Sequence, residues 1–170
     1  MSNKTKRISS YGMLLALAVV LGYVEAIIPI NIGIPGVKMG IPNIVTVVTL
    51  YTIGAAPAFV IALLRIIIIA TLFGNMMTLA YSLCGFALSF LSMLFLRKLG
   101  GFSRTIVSIT GGVMHNVGQL VCAVFLLKAS ILYMYFPVLL AAGIAAGLVI
   151  GLLSSLLVDR IGRYLSGRSL

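Results

Sequence analysis

Apolar runs long enough to cross a lipid bilayer recur along almost the whole chain, and they constrain its fold more than any other feature. Hydrocarbon offers no hydrogen-bonding partner, so only helices and closed barrels cross it, and a helix needs ~20 mostly apolar residues to do so. Of the 170 residues, 62% are hydrophobic and only 8% are charged, and the mean hydropathy is +1.25. The sequence therefore predicts an all-α integral membrane protein.

The basic residues predict how the chain crosses the membrane. The net charge is +10, but the lysines and arginines form neither the stripe nor the basic-aromatic pattern typical of nucleic-acid binding, so no nucleic-acid partner is expected. Nine of the twelve form three clusters: Lys4, Lys6 and Arg7; Arg97, Lys98 and Arg104; and Arg160, Arg163 and Arg168. The positive-inside rule assigns all three clusters to the cytoplasm, so an even number of spans separates each cluster from the next.

This parity predicts six transmembrane helices, with four before the middle cluster and two after it. The predicted helices lie near residues 11–28, 41–54, 57–73, 78–96, 105–127 and 132–157 of a single domain, 1–170, with cytoplasmic tails at about 1–10 and 158–170. Gly54 suits a helix end and Pro57 a first turn, so the second and third helices meet there. The first apolar stretch has no evident cleavage site and is expected to remain as a helix. We expect a multi-pass protein of a bacterial plasma membrane.

The segment between the first two helices, PINIGIPGVKMGIP (29–42), contains three prolines and three glycines. Such a segment cannot continue a regular helix, and the predicted topology places it outside the cell. Two interpretations stay open for it. It is either a connector at the membrane interface or a lid over a pocket that opens to the outside.

Polar side chains inside the predicted spans are few, and a charged one costs at least ~2.5–3.5 kcal/mol at the bilayer centre. The candidates are Glu25 on the first helix, Arg65 on the third, Asn75, Tyr81 and Ser82 at the start of the fourth, and His115, Asn116 and Gln119 on one face of the fifth. They could bind a ligand with an anionic or hydrogen-bonding end, or they could join helices to one another. Glu25 and Arg65 could also simply neutralise each other.

Small residues four apart on the first helix, Ala18, Gly22 and Ala26, would let another helix approach closely. That helix could belong to this chain or to a partner subunit. Glycines recur at the same spacing on the sixth helix, at Gly143, Gly147 and Gly151. Packing inside the chain and docking of a partner both stay open for the first helix.

The sequence lacks the residues that several kinds of catalysis require. The sequence contains no phosphate-binding loop for ATP, and its acids are Glu25 and Asp159, which do not form a carboxylate pair. One histidine with two amides makes neither a metal site nor a hydrolytic triad. Cys84 and Cys122 lack metal-site spacing and are expected to pack as small apolar residues. We therefore predict no catalysis, no bound metal and no cofactor.

Three stretches, in this order, carry a family resemblance: RIIIIATLFGN (65–75), YSLCGF (81–86) and GGVMHNVGQLV (111–121). They resemble the family called heptaprenyl diphosphate synthase component I, also called Gx transporter. That family is similar to the substrate-binding S components of energy-coupling factor (ECF) transporters. The resemblance covers nearly the whole chain.

The resemblance implies a six-helix S component with both termini inside, which captures a small vitamin, cofactor or precursor, either flavin-like or related to quinones and isoprenoids. An ECF transmembrane coupling subunit and two ATPase subunits would supply the energy, so ATP would be used only by these partners. Ala18, Gly22 and Ala26 would correspond to the docking surface. The candidate pocket residues would be Arg65, Asn75, His115, Asn116 and Gln119.

Two other functions stay open at this point. The chain could be a membrane accessory subunit of a prenyl diphosphate synthase, or a solitary small-molecule transporter. It does not resemble the catalytic subunit of such a synthase, because those enzymes bind magnesium and diphosphate through aspartate-rich motifs. Asp159 is the one aspartate in this sequence.

Overall fold

A computed structural model describes residues 3–27 and 40–165, and these residues form six α-helices and one short 3₁₀ helix. The α-helices are α1 (Asn3–Ile27), α2 (Asn43–Thr52), α3 (Ala55–Phe73), α4 (Met76–Leu99), α5 (Arg104–Leu127) and α6 (Phe136–Leu165), and the 3₁₀ helix is Ser130–Tyr135. The predicted all-helical class is confirmed. Apart from residues 40–42, the proposed lid lies outside the described residues, so it stays a prediction.

Five segments of the described chain are long and apolar enough to cross a bilayer. They are Arg7–Ile27, Ala55–Phe73, Met76–Leu99, Arg104–Leu127 and Ser130–Ile161. The remaining helix, α2, has ten residues, which span about 15 Å at 1.5 Å per residue, or half of a hydrocarbon core of ~30 Å. The chain is therefore a multi-pass membrane protein, whereas a sixth crossing and the cytoplasmic position of both termini stay predictions.

Two helices extend beyond the bounds that hydropathy predicts. α1 begins at Asn3 rather than near residue 11, and α6 continues to Leu165 rather than ending near 157. Hydropathy ends a helix where the apolar residues end, but backbone hydrogen bonding continues through polar residues when no breaker intervenes. The segments predicted as cytoplasmic tails are therefore partly helical.

α2 is the shortest α-helix described, and its middle is buried throughout. Every residue from Val45 to Leu50 is buried, and α2 packs against α3 and α6. Its Val47 and Leu50 belong to a core cluster that draws on four further helices: Ala58, Ala62 and Ile66 of α3, Phe86, Phe90 and Met93 of α4, Val107 of α5, and Ile150 of α6. Because neighbouring helices surround its middle, α2 needs no bilayer-spanning length.

Glycines bring α5 into backbone contact with the helices on either side of it. A Cβ at Gly118 would lie 2.6 Å from the carbonyl oxygen of Cys84 on α4, and one at Gly112 would lie 2.5 Å from that of Gly143 on α6. A Cβ at Gly147 would lie 2.6 Å from the Cα of Ile109. No side chain fits at these separations, so the three glycines set how closely α4, α5 and α6 approach.

Gly112→Ala should therefore force α5 and α6 apart. We expect it to lower the free energy of unfolding by about 1–3 kcal/mol, as overpacking of a tight core does. Gly12→Ala is the matched control, because a Cβ at Gly12 would meet nothing within 4 Å and alanine favours a helix over glycine by about 1 kcal/mol. Unfolding of both variants in detergent micelles is the measurement. If Gly112→Ala were as stable as the wild type, this would contradict the backbone contact between α5 and α6.

Candidate functional site

A small cavity lies between α1, α3, α4 and α5, beside the N-terminal end of α2. Its polar lining residues are Glu25, Asn43, Arg65, Thr78, Ser82 and His115. The cavity has a volume of about 80 Å³, whereas ligand sites commonly measure ~300–1,000 Å³. It has room for a polar group of a ligand rather than for a whole vitamin-sized molecule.

Arg65 brings a buried positive charge to this cavity. The residue is only 9% exposed, and its Nη2 donates a hydrogen bond to Oδ1 of Asn43 at 3.3 Å. Its Nε is buried and has no hydrogen-bond partner among the described residues. A buried donor without a partner costs about 1–3 kcal/mol. Arg65, which lines the cavity, therefore keeps an unused donor that an anionic or carbonyl oxygen would satisfy.

Glu25 lines the same cavity and joins α1 to the start of α2. Its Oε1 accepts a hydrogen bond from the backbone N–H of Gly40, whose φ of +72° favours glycine. Glu25 also acts electrostatically on Arg65, yet the salt bridge found within the described residues joins Arg104 to Asp159 instead. The two cavity charges therefore compensate each other without direct contact.

The three polar residues of helix five face different neighbours. His115 lines the cavity. Asn116 is buried, and its Nδ2 donates to the carbonyl oxygen of Leu139 on α6 at 2.7 Å. Gln119 lies against α4, where a Cβ at Gly85 would be 2.9 Å from its Cγ. Of the three, the structure thus brings one to the cavity and uses the other two in helix contacts.

The three candidates on helix four are also separated. Ser82 lines the cavity, whereas Tyr81 and Asn75 are not among the lining residues. Asn75 is the N-cap of α4, and its Oδ1 accepts from the backbone N–H of Thr78 at 2.9 Å. A side-chain oxygen at this position satisfies one of the free N–H groups of the first turn, so Asn75 has a role in helix formation.

The small residues of helix one pack within the chain. Ala18 is 1% exposed and clusters with Val45 of α2 and Ile61 of α3. A Cβ at Gly22 would lie 2.9 Å from Cγ1 of Ile69 on α3. Gly22 and Ala26 line the cavity. The approach that Ala18 and Gly22 allow is therefore already used by α2 and α3, whereas Ala26 is exposed.

Sequence reasoning missed Asn43, which is the hydrogen-bond partner of Arg65. The residue follows Pro42 at the start of α2, in a position that reads as an ordinary helix beginning. The signal available was its amide in an otherwise apolar stretch, which is the criterion that singled out Arg65. Thr78, the other polar lining residue that was missed, gives no comparable signal.

Comparison with known proteins matches the chain to a family. The sequence model of the family described as heptaprenyl diphosphate synthase component I matches residues 14–157. No curated protein and no solved structure matches the chain significantly. The matched range contains every residue that lines the cavity.

Asn116→Ala should weaken the contact between α5 and α6, because it removes the donor to the Leu139 carbonyl. The expected loss in the free energy of unfolding is about 0.6–1.5 kcal/mol, the range of membrane-buried and ordinary hydrogen bonds. Ser82→Ala, a polar truncation at the cavity wall, should leave the stability unchanged. Unfolding of both variants in detergent is the measurement. If Asn116→Ala and Ser82→Ala were equally stable, Asn116 would not contribute to the contact between α5 and α6.

Proposed function

The chain belongs to the heptaprenyl diphosphate synthase component I family, and from this membership and the cavity we propose that it is a substrate-binding membrane subunit. In this proposal it captures a small ligand with an anionic or hydrogen-bonding end and carries it inward in the manner of an ECF S component. The observation that carries the proposal is the buried Arg65 with its unused donor. Ionisable groups are expensive inside a membrane and commonly mark substrate sites there.

The cavity residues divide the recognition of such a ligand between them. Arg65 would bind the anionic oxygen, because a guanidinium offers several N–H donors in one plane. Asn43 holds one end of that guanidinium, and Ser82 and His115 line the same space. The volume of about 80 Å³ admits the polar end alone. Binding of a whole flavin-like or quinone- or isoprenoid-related molecule therefore requires the lining helices to separate.

The partners in this proposal are an ECF transmembrane coupling subunit and two ATPase subunits, which hydrolyse the ATP. Docking through Ala18, Gly22 and Ala26 would require α1 to move away from α2 and α3, because Ala18 and Gly22 are buried between these helices. The ligand itself comes from outside the cell, and the released ligand enters the cytoplasm. In this proposal the chain performs no catalysis and holds no cofactor.

A second candidate function is a membrane accessory subunit of a prenyl diphosphate synthase, and the name of the family favours it. Asp159 is the one aspartate of the sequence, so the magnesium and diphosphate chemistry would belong to the partner. In this case the chain would hold a soluble synthase at the membrane. A solitary small-molecule transporter, with neither partner, is the third arrangement.

A native mass spectrum of the tagged protein, extracted gently from its own membrane, distinguishes these functions. We expect an assembly with a coupling subunit and two ATPases, together with a small bound molecule. A soluble prenyl synthase and no bound molecule would favour the accessory subunit instead. A bound molecule without any protein partner would favour the solitary transporter.

Arg65→Met tests the role of the buried charge in binding. We expect it to weaken ligand binding by at least about 30-fold, since losing one side of a buried charged contact costs 2–5 kcal/mol or more. Arg160→Met is the matched control, because it removes the same charge from an exposed position near the end of α6. The bound molecule in each native mass spectrum is the measurement. Wild-type occupancy in Arg65→Met would place the ligand elsewhere.

A further inference from the structure

A second polar cluster lies at the opposite end of α2 from the cavity. Asn43 begins α2 beside Arg65, whereas Tyr51 lies one residue before the helix ends. The guanidinium carbon of Arg97 lies 5.3 Å from the centre of the Tyr51 ring, and that of Arg104 lies 5.8 Å from it. We call Tyr51, Arg97, Arg104 and the neighbouring Asp159 the arginine cluster.

The arginine cluster carries more positive charge than its acid can balance. Nη1 of Arg104 contacts Oδ1 of Asp159 at 2.5 Å and the carbonyl oxygen of Ser155 at 3.4 Å. The whole sequence contains two acids, and the other one, Glu25, lies at the cavity. Arg97 therefore has no acidic partner among residues 3–27 and 40–165. Two guanidinium groups around one ring, with one carboxylate, leave a net positive site.

The start of α5 adds to this positive potential. α5 begins at Arg104, and its N-cap Ser103 accepts from the backbone N–H of Ile106 at 3.2 Å. A helix N-terminus carries about half a positive charge, so Arg104 lies where a cation is unfavourable unless an anion is near. Asp159 supplies one such anion, but its side chain is 58% exposed. A stronger anion could therefore reach the same guanidinium.

The surroundings of the arginine cluster are those of a membrane boundary. Leu99, the last residue of α4, and Phe102, in the turn before α5, are exposed apolar side chains. Lys98 and Arg160 are exposed cations at the same end of the bundle. The positive-inside rule assigns this end to the cytoplasmic leaflet, where anionic lipids give the surface a negative potential. Apolar side chains beside cations suit a lipid headgroup better than a free anion.

We propose that the arginine cluster binds the phosphate or diphosphate headgroup of an anionic lipid. Arg97 and Arg104 donate to the phosphate oxygens, since planar guanidinium groups bind phosphate in a bidentate way. The Tyr51 ring holds both side chains in place by cation–π contact, and the lipid tail lies against the exposed apolar residues. This site is separate from the cavity, so it does not depend on the proposed substrate.

Binding of two probes to the protein in detergent tests the site and the nature of its ligand. The probes are phosphatidylglycerol and inorganic diphosphate, with phosphatidylcholine as the reference lipid without net charge, and native mass spectra report the bound fraction. We expect phosphatidylglycerol to bind one to one, at least ~10-fold more tightly than phosphatidylcholine. Equal binding of the two lipids would overturn the proposal, and inorganic diphosphate binding as tightly as phosphatidylglycerol would overturn the lipid assignment.

Arg97→Gln should weaken binding of the preferred lipid by ~10-fold or more, because Arg97 is a charge-assisted donor to phosphate. Lys98→Gln is the matched control, since it removes the same charge from the adjacent exposed position and should change affinity by less than ~3-fold. Equal effects of the two variants would mean that the lipid is attracted by the general positive charge of the surface, and this would overturn the proposal. Thermal unfolding of Arg97→Gln is the control for folding: a cooperative transition near the temperature of the wild type shows that the variant is folded.

Asp159→Asn provides a test in the opposite direction. It releases Arg104 from its carboxylate, so affinity for the preferred lipid should rise by ~3-fold or more. A gain in binding cannot come from misfolding. Reduced or unchanged lipid affinity in Asp159→Asn would show that Arg104 is not a ligand of the phosphate. Loss of a protein partner on Arg97→Gln, with no lipid bound to the wild type, would assign the cluster to protein docking instead.

Discussion

Backbone-to-backbone contact along α5 is the interaction on which the other helices depend. Apolar side chains gain little by leaving lipid for one another, so helices in a membrane associate through close packing and hydrogen bonds. Gly118 lets α5 meet α4, and Gly112 lets it meet Gly143 of α6. These contacts fix the rotation of α5 about its axis. They thereby decide that His115 faces the cavity while Asn116 reaches the Leu139 carbonyl.

The charged side chains form two groups, one at each end of the molecule, and the surroundings of the two groups differ. The two acids of the chain are far apart in sequence, and each acts on one arginine. Glu25 acts on the buried Arg65 without touching it, and Asp159 contacts Arg104 directly. At the cavity the charges come close to balance, which limits the cost of keeping them in a membrane. At the other end Arg97 and Lys98 remain unbalanced beside the aqueous boundary, where water and headgroups can solvate them.

Hydropathy and charge predicted the helical class and most helix positions, because both depend on local composition. They predicted a short second helix near 41–54 but not that it would have only ten residues, since the length rule for spans applies to helices in lipid and the middle of α2 is enclosed by protein. Spacing along α5 placed His115, Asn116 and Gln119 on one side of a helix. It could not say which neighbour each would meet, because consecutive residues point about 100° apart and several helices pack around α5. Arg65, Glu25 and Asn43 do line one cavity, but the pattern could not predict that Asn43, 22 residues before Arg65, would bond to it.

The short α2 is the structural link between the two ends. Asn43 and Tyr51 are eight positions apart, which corresponds to about 12 Å along the helix axis. Asn43 holds the cavity guanidinium, and Tyr51 lies against two others. Between them the helix is buried on all sides from Val45 to Leu50, and a helix of this length moves as one rigid piece. Any shift of α2 that widens the cavity around Arg65 must therefore also move the Tyr51 ring relative to Arg97 and Arg104.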